Sequence, residues 1–239
     1  MYQAVFRRKE LKYLMDDAQA RAFSNVILKY MLPDEYPKSA ISNLYYDTPD
    51  FRLIRNSLAK PSYKEKLRLR CYSTPGPDTE AFLEIKKKVL GTTYKRRVEL
   101  PYARALSYMA GRAAGWEGQI FRELDWMRQA YEPLAPVMYL SYDRCSFKGA
   151  EDPSLRLTVD RNIRWRTQQL DLSRGAWGEQ LLEPGQWLME IKITGAMPLW
   201  LADSLSELEL YPVSFSKYGR AYQTMLFRQL YWEEVKQYA

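Results

Sequence analysis

The chain contains no histidine among its 239 residues. That removes imidazole general-base catalysis, Ser-His-Asp triads and histidine metal sites together, so any catalysis must rest on carboxylates, cations, hydroxyls or a metal held by oxygen. Cysteine is scarce as well: Cys71 and Cys145 have neither the number nor the spacing of a zinc site or a disulfide framework, and both read as free thiols in a reducing compartment. No segment reaches about 18 uncharged apolar residues, and the opening Met1-Tyr2-Gln3-Ala4-Val5-Phe6-Arg7-Arg8 lacks the apolar run and small-residue cleavage site of a secretory leader. A soluble, cytoplasmic protein is therefore expected. Glycine and proline, 11 and 13 in number, are scattered and mark no linker, which predicts one domain over residues 1–239.

What the chain has is apolar bulk and positive charge. Hydrophobic residues make up 46% and aromatics 14%, enough for a packed core. A formal net charge of +7 favours a polyanionic partner: nucleic acid, a phosphate chain or an acidic membrane surface. Nucleic acid is not expected, because there is no Gly-Lys phosphate loop and no zinc-finger spacing. Trp116, Trp126, Tyr131 and Trp232 fall in helical stripes and read as core rather than as stacking platforms for bases.

Period-two patterning predicts strands near 4–14, 40–46, 63–72, 80–89, 92–100, 136–148, 154–166 and 186–194. Helical patterns fall between them at 16–31, 103–112, 119–131, 198–208 and 216–232, the first capped by Asp16 or Asp17. The strands at 80–89 and 92–100, joined by a short turn at Gly91, read as an antiparallel hairpin rather than part of a doubly wound parallel sheet. Pro75-Gly76-Pro77-Asp78 reads as a surface turn.

Side chains two apart on a strand share a face, so each strand can be asked where its charges lie. Arg8, Glu10 and Lys12 share one parity, as do Lys66, Arg68 and Arg70; Glu84, Lys86 and Lys88; Lys95, Arg97 and Glu99; and Glu190 and Lys192. Arg144 beside Tyr142, and Arg156 beside Thr158 and Asp160, extend the pattern. An ordinary solvated sheet face accounts for any one of these strands. It does not account for all of them together, because like charges on neighbouring strands repel. Closing the strands into a barrel with the charged face inward makes the design sensible, since a bound polyanion neutralises the cations inside low-dielectric walls. The expected fold is thus α+β: a closed antiparallel eight-stranded β-barrel with helices packed outside.

Six segments then carry a family resemblance: Phe6-Arg7-Arg8-Lys9-Glu10-Leu11-Lys12-Tyr13, Leu67-Arg68-Leu69-Arg70-Cys71-Tyr72, Phe82-Leu83-Glu84-Ile85-Lys86, Tyr142-Asp143-Arg144-Cys145-Ser146-Phe147, Leu188-Met189-Glu190-Ile191-Lys192 and Phe215-Ser216-Lys217-Tyr218. In that order they resemble the triphosphate tunnel metalloenzymes, and most closely the polyphosphate polymerase domain of the vacuolar transporter chaperone (VTC) complex. The wider superfamily opens on Glu-x-Glu-x-Lys, where this chain has Arg8-x-Glu10-x-Lys12. Replacing the first carboxylate removes a metal ligand and adds phosphate affinity, which looks like the polymerase branch.

The resemblance implies a metal-dependent transfer of the γ-phosphate of ATP to inorganic polyphosphate or a pyrophosphate primer, inside the basic tunnel of a triphosphate tunnel fold. It puts catalytic roles on Arg68, Arg70, Lys86, Arg144 and Glu190. Phosphate contacts fall on Arg8, Lys12, Lys66, Lys88, Lys95, Arg97, Arg156, Lys192 and Lys217. Mn²⁺ or Mg²⁺ would be held by Glu190, with Glu10 as a second ligand. A family lysine near the C-terminal motif corresponds to Ser214 here. Hydrolysis of tripolyphosphate or a nucleoside triphosphate in the same tunnel, and non-catalytic binding of polyphosphate or inositol phosphates, are the alternatives. A separate membrane partner is left open.

Overall fold

The computed structural model describes residues 9–90 and 92–237, with side chains described through residue 231. The elements run β1 (Lys9–Met15), α1 (Asp17–Tyr30), β2 (Met31–Asp47), α2 (Arg52–Leu58), β3 (Tyr63–Cys71), β4 (Glu80–Val89), β5 (Thr92–Pro101), α3 (Tyr102–Met109), α4 (Gln119–Ala130), β6 (Ala135–Gly149), β7 (Arg156–Arg166), a 3-10 turn at Leu172–Arg174, β8 (Glu179–Gln180), β9 (Trp187–Ile193), α5 (Leu199–Glu207) and α6 (Lys217–Gln237). The α+β class holds. An antiparallel sheet is hydrogen-bonded in the order β1-β9-β7-β6-β2-β3-β4-β5, with β8 beside β7. β1 and β5 end that order, and among the described residues no ladder joins them, so the sheet is nine-stranded and is not closed by hydrogen bonds.

Two compact units make up the chain, each assembled from separate stretches. The first comprises Met1–Ile41, Tyr142–Ile163 and Leu182–Phe215; the second comprises Ser42–Ser141, Arg164–Leu181 and Ser216–Ala239.

In the first unit, α1 begins where Asp16 caps it. The Asp16 carboxylate accepts from the Gln19 amide at 2.8 Å while the Gln19 side chain accepts from the Asp16 amide at 3.0 Å, a reciprocal box that satisfies two otherwise orphaned donors. Phe23 and Ile27 then face Tyr13, Met15, Leu157, Met189 and Ile191, the apolar parity of β1, β7 and β9, with Leu201 and Leu205 of α5 completing the core. The alternate parity of the same strands is left to the charged residues.

The second unit repeats this logic. Leu67, Leu69, Leu83 and Ile85 are fully buried against Ala105, Tyr108, Phe121, Leu124 and Met127 of α3 and α4. Each such side chain is worth about 1.5–3 kcal/mol when withdrawn from water, so the register of β3 and β4 is strongly determined. On the last helix Tyr218, Tyr222 and Met225 form an apolar stripe, and all three are buried. Both cysteines are free, and burial pushes the Cys71 thiol up to about 12.

Four expectations change. β2 begins at Met31 rather than 40, passing through Pro33 and Pro37 in its exposed half. α2 has no counterpart in the sequence reading: it is held by the fully buried Asp47, whose carboxylate accepts from the Leu53 and Ile54 amides at 2.8 and 3.0 Å and from Tyr218 Oη at 2.8 Å. The two-residue β8 was likewise not expected. Trp116 and Trp126 are not core; both are about half exposed at the surface of α4 and the loop before it, each in contact with another aromatic ring. The turn at Gly91 lies outside the described residues, although Val89 pairs with Thr92 across it. No helix among the described residues is long and apolar enough to cross a membrane.

Candidate functional site

In the second unit the charged parity of β3, β4 and β5 aligns in rows across the ladders. Arg68 lies opposite Glu84 and Glu84 opposite Arg97; Lys66 lies opposite Lys86 and Lys86 opposite Lys95; Lys64 lies opposite Lys88. Glu84 is the centre, only 2% exposed. Its Oε2 takes Arg68 Nη2 at 2.6 Å and lies 3.8 Å from Arg70 Nε, while its Oε1 takes Lys95 Nζ at 2.5 Å and lies 3.9 Å from Arg97 Nε. Burial works against ionisation of Glu84, but the charges of Arg68, Arg70 and Lys95 outweigh it and hold its carboxyl well below the usual carboxylate range. The same desolvation pushes Lys95 down to about 8 despite Glu84, with Arg68 and Arg70 adding to the depression.

The arginines of this cluster are held by neutral groups as well. Arg70 Nε donates to Asn43 Oδ1 at 2.9 Å, and Asn43 in turn donates to the Leu140 carbonyl at 3.0 Å. Arg68 donates to Tyr45 Oη at 3.3 Å, and Arg97 sits 3.3 Å from the centroid of the Phe82 ring. Lys66 Nζ donates to Ser216 Oγ at 2.9 Å, and Ser216 also accepts from the Gly219 amide at 3.2 Å, which makes it the N-cap of α6 with Lys217 as first helical residue. The Tyr218 hydroxyl bonded to Asp47, with its ring stacked on Tyr45 at 4.4 Å, fixes that helix start. Planar guanidinium donors, mobile ammoniums and a helix N-terminus together form a phosphate-binding chemistry.

The first unit holds a second cluster, on β1, β9 and β7. Lys12 lies opposite Glu190 and Glu190 opposite Thr158; Glu10 lies opposite Lys192 and Lys192 opposite Arg156. Lys12 Nζ is 3.3 Å from Glu10 and 3.8 Å from Glu190 and donates to the Phe215 carbonyl at 2.8 Å; Lys192 Nζ is 2.7 Å from Glu190. Arg144 forms a two-pronged pair with the fully buried Asp160, at 2.6 and 2.8 Å. Desolvation opposes the charge on Arg144, but Tyr142, Asp160 and Glu190 reverse that and hold it protonated. Arg156 pairs with Asp34 of β2.

Of the residues singled out from the sequence, the second unit gathers Lys66, Arg68, Arg70, Lys86, Lys88, Lys95, Arg97 and Lys217, and the first gathers Glu10, Lys12, Arg144, Arg156, Glu190 and Lys192. Arg8 lies outside the described residues. Asn43, Asp47 and Asp34 were missed. Asn43 shares a parity with Tyr45 and with Asp47, so alternation inside the 40–46 strand was a usable signal; Asp34 sits in the proline-interrupted half of β2 and had none.

Among the described residues no three acidic or cysteine side chains gather as a ready-made metal site. A Mg²⁺- or Mn²⁺-like cation is commonly held by one or two carboxylates with phosphate oxygens and water completing the shell. Glu190 and Glu10, both reaching Lys12, meet that count. Directly across from Glu190, the hydroxyl of Thr158 is buried and has no hydrogen-bond partner among the described residues. A desolvated orphan hydroxyl costs about 1–3 kcal/mol, and a bound oxyanion or metal-bound water would relieve it.

Known proteins share the fold and the family of this chain. A candidate adenylate cyclase from Bacillus halodurans superposes with a TM-score of 0.57 at 15% identity, covering 90% of this chain and 96% of that one. A candidate adenylyl cyclase from Hippeastrum, described as having a dominant triphosphatase activity, gives 0.53 at 15% identity over 87% and 92% of the two chains. A candidate adenylate cyclase from Vibrio parahaemolyticus gives 0.50 at 14% identity over 92% and 99%. At these identities the likeness is one of fold alone. No curated protein matches the sequence. The VTC domain matches residues 7–226, nearly the whole length, and the chain belongs to the VTC domain family.

Proposed function

We propose that this protein is a polyphosphate polymerase, which moves the γ-phosphate of ATP onto a growing inorganic polyphosphate chain. The observation that carries the proposal is the Glu84 cluster, in which one buried carboxylate preorganises Arg68, Arg70, Lys95 and Arg97 on a single sheet face. Phosphoryl transfer asks a protein mainly to position reactants and stabilise charge, and a set of fixed cations does both without histidine. Membership of the VTC domain family supports the same reading, as does the triphosphatase activity described for the Hippeastrum relative in fold.

In this proposal the charged cluster of each unit binds phosphate. Arg68, Arg70, Lys66, Lys86 and Lys95 bind and orient the phosphates of ATP, and Arg144, Arg156, Lys12, Lys192 and Lys217 are further phosphate-binding cations. Glu190 and Glu10 would hold a Mn²⁺ or Mg²⁺, which would supply further neutralisation of phosphate charge. A terminal oxygen of the acceptor chain attacks the γ-phosphorus, the bond from that phosphorus to the β–γ bridging oxygen breaks, and ADP leaves. The nucleophile is already ionised at neutral pH, so no general base is required.

Hydrolysis of the triphosphate, with water in place of the acceptor chain, is the second reading, and the activity described for the Hippeastrum protein favours it. One experiment separates the two: purified protein is incubated with ATP and Mn²⁺, long phosphate polymers are resolved on a gel, and free phosphate is measured in parallel, with Glu190→Gln and Arg68→Ala as controls. Polymer made by the wild type and lost in both variants is the expected result. Free phosphate without polymer would replace polymerase by triphosphatase, and binding of ATP without turnover would leave a binding module.

A further inference from the structure

The cation rows on β3, β4 and β5 continue past the Glu84 cluster. Two residues beyond Lys66 and Lys86, Lys64 and Lys88 lie directly opposite one another on the ladder. Lys64 is half-buried, and its ammonium is fixed by donation to the Ser57 carbonyl at 3.0 Å, in the last turn of α2. Lys60 follows that helix in a left-handed conformation, φ 54°, which turns the chain back towards β3. Like charges opposite each other on a sheet repel. Here, after burial itself, the charges of Lys88 and Lys60 depress the pKa of Lys64, and no carboxylate contributes in the other direction. The contrast with the neighbouring rows is direct: Arg68, Arg70, Lys95 and Arg97 share Glu84, whereas Lys60, Lys64 and Lys88 share nothing negative among the described residues.

A group of like charges with no internal counter-ion, one of them held in place and two exposed, is suited to an anion from outside. Rows on one face of a strand repeat every second residue, about 6.7 Å apart, so the track from the Arg70 row to the Lys64 row runs about 20 Å along β3. A triphosphate seated among Arg68, Arg70, Lys86 and Lys95 ends before that outer row. A longer phosphate chain reaches it.

We propose that Lys60, Lys64 and Lys88 form an outer phosphate subsite, taking the phosphates of an inorganic polyphosphate chain that extend beyond a triphosphate held at the Glu84 cluster. The proposal rests on the phosphate-binding reading of that cluster and adds to it a preference for chain length. ATP and tripolyphosphate occupy the inner rows alone, and long chains occupy both.

The test is a pair of titrations at one fixed ionic strength, with tripolyphosphate and with long-chain polyphosphate, on the wild type, on the double variant Lys64→Gln/Lys88→Gln and on Lys64→Arg/Lys88→Arg. The double glutamine variant is expected to lose about tenfold in affinity for the long chain and less than about twofold for tripolyphosphate, and the arginine variant to keep both. Its thermal midpoint should equal or exceed that of the wild type, because a repulsion has been removed. Equal losses on both anions, or no loss on the long chain, would overturn the outer subsite while leaving the inner one standing. A wild type that binds neither anion would instead overturn the phosphate-binding reading, and the subsite with it.

Discussion

Replacing Glu84 by glutamine separates what the buried carboxylate does for the fold from what its cations do for a ligand. Arg70 and Arg68, with side chains 7% and 22% exposed, face Glu84 in a nearly water-free setting. Removing one partner of such a pair costs about 3–5 kcal/mol. Lys95 and Arg97, with side chains 46% and 36% exposed, are partly solvent-screened and add less. Glutamine keeps the shape and one acceptor oxygen, so the lower end applies, about 3 kcal/mol. In a chain of this size that lowers the thermal midpoint by roughly 6–12 °C. Tripolyphosphate should reverse the deficit, because the cations released from Glu84 then meet the ligand without an internal competitor. Thermal unfolding followed by circular dichroism, with and without saturating tripolyphosphate, reads both effects. The sign with pH follows from the depressed Glu84 pKa: its contribution is fully present above the ordinary carboxylate value, about 4.3, and is lost only as pH falls below that towards the folded value. The gap between wild type and variant should therefore stay constant from neutrality to about pH 4.5 and close in stronger acid. A deficit under about 1 kcal/mol in the free protein, the range of a surface pair, or weaker tripolyphosphate binding by the variant, would refute the reasoning.

Further outcomes follow from the same structure. Arg144→Ala leaves the fully buried Asp160 without its guanidinium, and should cost about 3–5 kcal/mol in urea unfolding, with Arg144→Ala/Asp160→Asn recovering part of it. Thr158→Val removes a buried hydroxyl that has no partner among the described residues, so stability should be unchanged or higher while Mn²⁺-dependent tripolyphosphate binding, followed by calorimetry, weakens. Because Lys95 is pushed down to about 8, it sheds its proton in the folded state before the unfolded chain does; stability should rise with pH from about 8 upwards while tripolyphosphate affinity falls, and Lys95→Arg should abolish both trends. Tyr218→Phe deletes one of the donors to buried Asp47, and should cost about 1–3 kcal/mol, read by denaturant midpoint.

Much of the architecture is local and therefore visible in the sequence. The parity that sends Leu67, Leu69, Leu83 and Ile85 to the core also sends Lys66, Arg68, Glu84 and Lys86 to the other face, and a strand period of two is enough to read that. The Asp16 capping box and the Ser216 cap lie within a few residues of the donors they serve, so they too are legible. Alternation says nothing, however, about which carboxylate a given arginine meets. Glu84 looks in the sequence like one charge-balancing acid among several, and only the β3–β4–β5 register makes it the common partner of Arg68, Arg70, Lys95 and Arg97.

The remaining features depend on contacts far apart along the chain. Asp47 meets Tyr218 across 171 positions, and Arg156 meets Asp34 across 122, in a stretch of β2 whose prolines argue locally against a strand. Composition and periodicity determined which residues would be charged, which would be apolar, and that they would occupy opposite faces. The tertiary structure decided which charges neutralise one another, because that choice depends on distances of a few ångströms between segments whose pairing no local pattern encodes.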